Sequence, residues 1–360
     1  SGSVTLTATG GSVGVNSYGI SGANITTSGG AVNISSTSTN NTDIDTGSGA
    51  INTAGGNVTV TANSYGGSGT ETINAGSGTV TLRNRTAGTL VDIGGTSADV
   101  TTGASRKLGV SSAELARITA ANVVIGRNDA TGSGNITLNA TNLGALGNTG
   151  ANLSVLSGND ITISSAITKS TGTDATLTLN AVNGINVNAA VGGTVAGAGK
   201  LNVAMTANGN TALAADSKGL VVLSSINTNG GSATLTGKSK SGAGGSSNSA
   251  IRFGGASIIA ETMTITGNQT GSNAATDTNG IYLSGTNSFQ SKSGISTLTG
   301  TSNAIGNFGG GIFAADGSST SFDSGSGELK LLGLNSNSGY RGLRIEIGRA
   351  SCRERVSSPV

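Results

Sequence analysis

Few residues of this 360-residue chain have the chemistry for catalysis or metal binding. There is no His and only one Cys, which excludes imidazole catalysis, imidazole metal ligation and an internal disulfide framework. Asp43-Ile44-Asp45 is the single Asp-x-Asp. On a strand it would place two carboxylates on one face, suited to Ca²⁺ or to an acid/base pair. Calcium wants six or more oxygens, and no third acidic residue falls nearby. The expected arrangement is therefore two outward polar residues flanking an inward Ile44. Gly237-Lys238-Ser239 ends like a phosphate loop, but Ser232 stands where the leading Gly belongs and no strand–helix unit surrounds it. Calcium-binding Gly-Gly-x-Gly-x-Asp repeats do not occur. Four Tyr, five Phe and no Trp give little for a sugar-stacking cleft. Tyr282 is expected to point outward, since Ile281 and Leu283 compete for the interior. No catalytic, cofactor-binding or metal-ligating residue is assigned, and no cofactor is implied.

Charge gives no partner either. Lys and Arg number 19 against 17 Asp and Glu, and three of the Arg and one Glu fall in residues 347–360. Without that stretch the balance is 16 to 16, so the body is neutral and neither nucleic acid nor a membrane surface is expected to bind it. The same stretch holds the only Pro and the only Cys. Ile347 to Val356 is similar to one reading frame of a short-read sequencing adapter. Residues 347–360 are therefore expected to be a non-native tail, and Cys352 carries no functional role. No run of 18 apolar residues exists, so no transmembrane helix and no membrane insertion are expected.

The elements that would position any site follow from periodicity. Gly makes up 62 residues, and the apolar residues are almost all Val, Ile, Leu and Ala. They alternate in short runs such as Val32-Asn33-Ile34, Val58-Thr59-Val60 and Val80-Thr81-Leu82, a strand signal bounded by turn formers. In the second half three strand families repeat together. Ile251-Arg252-Phe253, Ile281-Tyr282-Leu283, Ile312-Phe313-Ala314 and Leu343-Arg344-Ile345 form the first. Ile226, Ile258, Phe289 and Phe322, each after a Ser, form the second. Leu235, Ile265, Leu298 and Leu331 form the third. All share a step of about 31 residues. The first half has shorter turns, with Ile25, Ile51 and Ile73 each leading through small-residue links to Val32, Val58 and Val80. The pattern returns at Ile167 to Leu177, Val191 to Val203 and Ile226 to Leu235.

Strands of two to four residues cannot stand alone, but stacked in register they form a coil with inward aliphatic columns and outward Thr, Ser and Asn. The fold expected is all-β: a right-handed parallel β-helix with three short strands per turn. It runs as one continuous unit over residues 1–346, with shorter turns over 1–205 and turns of about 31 residues over 206–346, some thirteen rungs in all. Ser111-Ser112-Ala113-Glu114 has capping-box spacing, and Leu115 and Ile118 lie three apart. A short helical excursion over 112–118 is expected there. Arg106, Lys107, Arg117 and Arg127 flank it, as a contact patch or as a salt-bridged, solvated decoration. Ser241 to Asn248 reads as a flexible loop. Sequons such as Asn57-Val58-Thr59 arise readily in such a composition and say little about glycosylation.

The segment Leu108 to Ala120, followed by Val123-Val124-Ile125-Gly126 and Gly134-Asn135-Ile136-Thr137-Leu138, resembles a repeat segment of filamentous-haemagglutinin-type adhesins. These are large Gram-negative exoproteins of the two-partner secretion system. The Gly-Gly-x-Val-x-Val links resemble the same family. The resemblance implies a rigid right-handed β-helical shaft, secretion to the cell surface through an outer-membrane transporter, and adhesion to a host-cell or surface ligand. With Ser1 in mid-repeat and neither a signal peptide nor a secretion domain in view, the expectation is an internal fragment. The expected role is a non-enzymatic shaft presenting binding loops, with Gly267 to Asn279 and Gly300 to Gly311 as contact loops. A β-helical polysaccharide lyase or glycoside hydrolase and a passive S-layer or matrix protein are the alternatives. An ice-binding Thr face, hinted at by Thr5-Leu6-Thr7 and Thr59-Val60-Thr61, is disfavoured by the uneven steps.

Overall fold

The computed structural model describes residues 2–10, 20–22, 24–38, 43–45, 49–66, 71–100, 106–144, 146, 151–208, 219–239, 249–270, 278–303, 310–335 and 342–344. It is a parallel β-helix. Every ladder between named strands is parallel, and the strands collect on three faces. The first face is one sheet of 12 strands, from Val4–Thr9 to Glu328–Asn335. The second carries a 3-stranded sheet and then a 10-stranded one; the third carries a 4-stranded sheet and then a 7-stranded one. The first face therefore holds twelve rungs, close to the thirteen or so expected. It runs without a break across the change in turn length.

The predicted families are the observed columns. Ile251, Ile281, Ile312 and Leu343 pair in succession on the second face. Ile226, Ile258, Phe289 and Phe322 do so on the third, with Ser225, Ser257, Ser288 and Ser321 beside them. Leu235, Ile265, Leu298 and Leu331 do so on the first. Ile25, Ile51 and Ile73 stack in the shorter turns. Alternation puts these side chains inside, where Ile251, Ile281 and Ile312 are fully buried. One pairing departs from expectation. Leu235 lies on Met205, while Val203 lies on Ala233, so Leu235 sits one inward position along from the Leu177–Val203 column.

The corners are built by a recurring device. In Thr27-Ser28-Gly29-Gly30 and Thr228-Asn229-Gly230-Gly231 the Thr hydroxyl turns inward and donates to the carbonyl of the second Gly, at 2.6 Å in both. The first Gly takes φ of 87° and 88°, a left-handed conformation that favours glycine. Thr53 and Gly56 repeat the bond. The outward Asn at several strand starts accepts the backbone N–H of the next rung, as Asn57 does from Thr79 at 2.9 Å and Asn152 from Thr176 at 2.8 Å. Asn57 is thus committed to holding rungs together.

The strands of the first face are longer than the two to four residues expected, reaching Ile295–Ser302. The extension lies past a pinch. A Cβ at Gly300 would fall 1.9 Å from the carbonyl oxygen of Gly311, so the first and second faces touch backbone to backbone. Beyond the pinch the inward residues are polar and buried: Ser239, Gln269 and Ser302 on the first face, Ser249 and Asn279 on the second. Ser302 Oγ donates to the carbonyl of Thr278 at 2.8 Å, and Gly310 N–H donates to Asn279 Oδ1 at 2.9 Å. These bonds replace apolar packing where the coil narrows to two layers. Most of the contact-loop residues expected within Gly267 to Asn279 and Gly300 to Gly311, the Ser241 to Asn248 loop and the tail at 347–360 lie outside the described residues.

One turn breaks the pattern. After Thr79–Arg83 the chain forms Leu90–Ile93, returns to form Lys107–Val110, and then enters the helix. On the second face Lys107–Val110 pairs with one side of Leu90–Ile93, whose other side takes Ile136–Leu138. The second face thus gains an extra strand that the first face does not have. The helix spans Ser112–Ala116, shorter than 112–118, because Ile118 already pairs with Ile73 as a strand residue. The predicted capping box is present, with Ser111 and Glu114 bonded reciprocally.

Candidate functional site

Where the extra strand meets the earlier turns, several carboxylates gather, Asp43 and Glu71 buried and Asp99 and Glu114 half-buried. Asp43 is fully buried, not outward as expected. Its Oδ1 accepts the N–H of Ser38 at 2.6 Å and its Oδ2 that of Asn63 at 2.7 Å. Both oxygens are thereby committed to backbone, which leaves no calcium ligand of the kind considered for the Asp-x-Asp. Ile44 points inward as predicted and is fully buried. Asp99 accepts the Gly109 N–H at 2.7 Å and also a backbone N–H from Tyr65. It therefore bridges the edge of the three-stranded sheet to the edge of the ten-stranded one. Burial pushes its carboxyl up to about 7, helped by the charges of Glu114 and Asp43. Burial also raises Glu114, against its bonds from Ser111.

The basic residues flanking the helix are engaged within the coil. Lys107 Nζ meets Asp92 at 2.6 Å, Arg117 pairs with Glu71, and Arg127 meets Asp129 at 2.6 Å. Arg106 donates to the carbonyl of Ser38 at 2.6 Å. This is the salt-bridged arrangement, with the guanidinium of Arg127 and the Thr131 amide holding Asp129 below the usual carboxylate range. A cavity of about 300 Å³ lies between the helix and the third face, lined by Leu115, Ala116, Leu146 and Ala166 with Ser112 and Thr141 at its polar side. Among the described residues no group of three or more His, Cys, Asp or Glu is placed to hold a metal ion. Lys238 and Ser239 lie on a strand, not on a phosphate-cradling loop.

The second face carries what the sequence reading did not assemble. Tyr282 points outward as predicted and is half-buried, but it is not a lone ring. It pairs with Arg252 on one side and Phe313 on the other. The Tyr282 and Phe313 rings stack with centroids 5.8 Å apart and planes 5° from parallel. Among the described residues Arg252 makes no ion pair, and its Nε is buried without a hydrogen-bond partner. The signal was present in the sequence: these are the middle residues of the family Ile251-Arg252-Phe253, Ile281-Tyr282-Leu283 and Ile312-Phe313-Ala314. The outward position repeats with the same period as its inward neighbours.

Comparison with family models, with curated proteins and with solved structures finds no match to the chain.

Proposed function

We infer that this chain is a structural, non-enzymatic shaft segment of a secreted or surface-exposed bacterial adhesin, exported through an outer-membrane transporter. The single observation that carries the reading is the uninterrupted parallel ladder of the first face, 12 strands long. At ~4.8 Å per strand such a face is ~50 Å from end to end. Each rung is locked to the next by backbone bonds and by inward aliphatic columns, so the coil is suited to hold a ligand-binding surface away from a cell. The segment from Leu108 to Leu138, whose sequence resembles the adhesin repeats, forms the irregular turn with its capped helix. No helix among the described residues is long and apolar enough to cross a membrane.

A β-helical polysaccharide-degrading enzyme is the second reading. The raised carboxyl of Asp99 favours it, since a general acid needs such a group. Against it, Asp99 and Asp43 both spend their oxygens on backbone N–H groups inside the coil.

Export tests the first reading. The gene would be expressed in its native host with an internal epitope, with and without the transporter gene expected beside it. Surface labelling that requires the transporter supports the proposal. An epitope that stays in the cytoplasm in both cases would overturn it. Release of sugar ends from a polysaccharide panel would favour the enzyme.

A further inference from the structure

The stitching between turns is interrupted at one level of the coil. Among the described residues no ladder on the second face joins Tyr65–Gly66, the last strand of the three-stranded sheet, to Lys107–Val110, the first of the ten-stranded one. On the third face none joins Ile118–Thr119 to Thr141–Asn142. Only the first face crosses this level without a break. The level is therefore a joint, and on the second face a side chain spans it. Asp99 accepts the Gly109 N–H at 2.7 Å from one sheet edge and the Tyr65 N–H from the other. Asp99 belongs to a strap, residues 95–100, that doubles back over Lys107–Val110. Backbone fastens its ends: Gly95 N–H donates to the Ala140 carbonyl at 2.7 Å, and Val100 and Lys107 exchange two bonds of 3.0 Å. Asn139 donates to the Ser97 hydroxyl at 3.0 Å. Between these ties the strap lies tight on the strand, since a Cβ at Gly109 would fall 2.3 Å from the carbonyl carbon of Ala98. Thr96, Ala98 and Val100 are exposed, so the strap has room to lift.

The charges around Asp99 oppose its own. Asp43 and Glu114 both repel a charged Asp99. The cations of the adjoining elements are engaged with other groups: Arg106 with the Ser38 carbonyl, Lys107 with Asp92 and Arg117 with Glu71. Asp45 is the remaining acid of the neighbouring strand, and residues 39–42, 67–70 and 101–105 contain no charged residue. Two amide donors favour an ionised Asp99, but burial outweighs them, so the carboxyl keeps its proton up to near-neutral pH. We propose that the strap is a pH-sensitive latch on this joint, shut while Asp99 is protonated and released as it ionises, which frees the facing edges at Tyr65 and Gly109. A neutral Asp99 still offers a carbonyl oxygen to an amide and carries no charge to be repelled. Lifting the strap returns a charged Asp99 to water, away from Asp43 and Glu114, at the loss of its two hydrogen bonds. The unbroken ladder of the first face holds the turns in register meanwhile, so the opening is local.

The latch is independent of the export reading, so the two tests fail separately. Hydrogen exchange of the full chain, read by peptide mass and corrected for the intrinsic pH dependence of amide exchange, would follow it from about pH 5 to about pH 8. Protection over residues 95–110 and at Tyr65 should fall about tenfold or more between about pH 5 and about pH 7 and level off above. Peptides of the first face, such as Asn152–Ser157, should stay protected across the range. Asp99→Asn cannot ionise and should remove the dependence. Burial raises Glu114 as well, so Glu114→Gln separates the two groups and should keep most of the effect. Should Asp99→Asn fail to fold, the profile of the parent and that of Glu114→Gln decide. Protection at 95–110 that ignores pH, an equal loss in the first-face peptides, or a dependence that survives Asp99→Asn or vanishes in Glu114→Gln would overturn the assignment.

Discussion

Replacing Gly300 with Ala tests the pinch between the first two faces. Gly300 pairs with Gly267 below and Gly333 above, at an inward position. An added Cβ would lie 1.9 Å from the Gly311 carbonyl oxygen, 2.6 Å from its carbon and 3.0 Å from Ile312 Cγ1. Non-bonded carbons settle at ~3.5–4.0 Å, so the faces would have to separate by more than ~1 Å. Two of the three obstructing atoms are backbone, which cannot rotate away. Overpacking that side chains absorb costs ~1–3 kcal/mol. Here the ladder must absorb it, and each strained backbone bond adds ~0.5–1.5 kcal/mol. The expected loss is ~3–5 kcal/mol, from the overpacking and bond terms together. Urea unfolding followed by far-UV circular dichroism and tyrosine fluorescence would measure it, with Tyr282 reporting on the adjoining rungs. The outward neighbour Thr299→Ala is the control and should stay within ~0.5 kcal/mol. A Gly300→Ala protein as stable as the control would show that the faces do not meet there.

Two further predictions follow from the columns and from the buried carboxyls. Ile51→Asp places a carboxylate between Ile25 and Ile73 in a position 2% exposed, and should cost several kcal/mol in urea melts, whereas outward Thr59→Asp should be nearly silent; equal effects would contradict the register. Asp99 is raised by burial, so the folded chain holds its proton where the unfolded chain has released it, and stability should fall as pH rises from about 4 to about 7 and level off above. Glu114 shifts the same way and adds to the slope. Asp99→Asn should flatten the dependence in melting curves taken across that range, and an unchanged slope would place its origin elsewhere.

The core was legible because each inward column repeats one kind of side chain at one period. Ile251, Ile281 and Ile312 announce their stacking without any knowledge of the turns between them. The corner motif of Thr27 to Gly30 was legible for the same reason, and it returns at Thr228 to Gly231. The polar inward residues past the pinch were not. Ser302, Gln269 and Ser239 read as surface in a sequence, and only the approach of Gly300 to Gly311 puts them inside. Asp43 was misplaced on similar grounds: a carboxylate beside a turn looks solvated until two amides are found pointing at it. The column of Arg252, Tyr282 and Phe313 was missed for another reason. The period was used to find the inward residues, and these three share that period at the alternate strand positions.

The extra strand on the second face has a consequence for how the molecule is assembled. In a regular coil each new strand docks on one already laid down, so a nascent chain can wind up in the order in which it emerges. Leu90–Ile93 cannot, because its lower neighbour is Lys107–Val110, which comes later in the chain. Growth must halt with residues 90–93 lacking a template until the following segment arrives and slots in beneath. That turn is a checkpoint in an otherwise sequential process, and a chain stalled during synthesis before residue 107 would hold a finished stub of coil and an undocked strand.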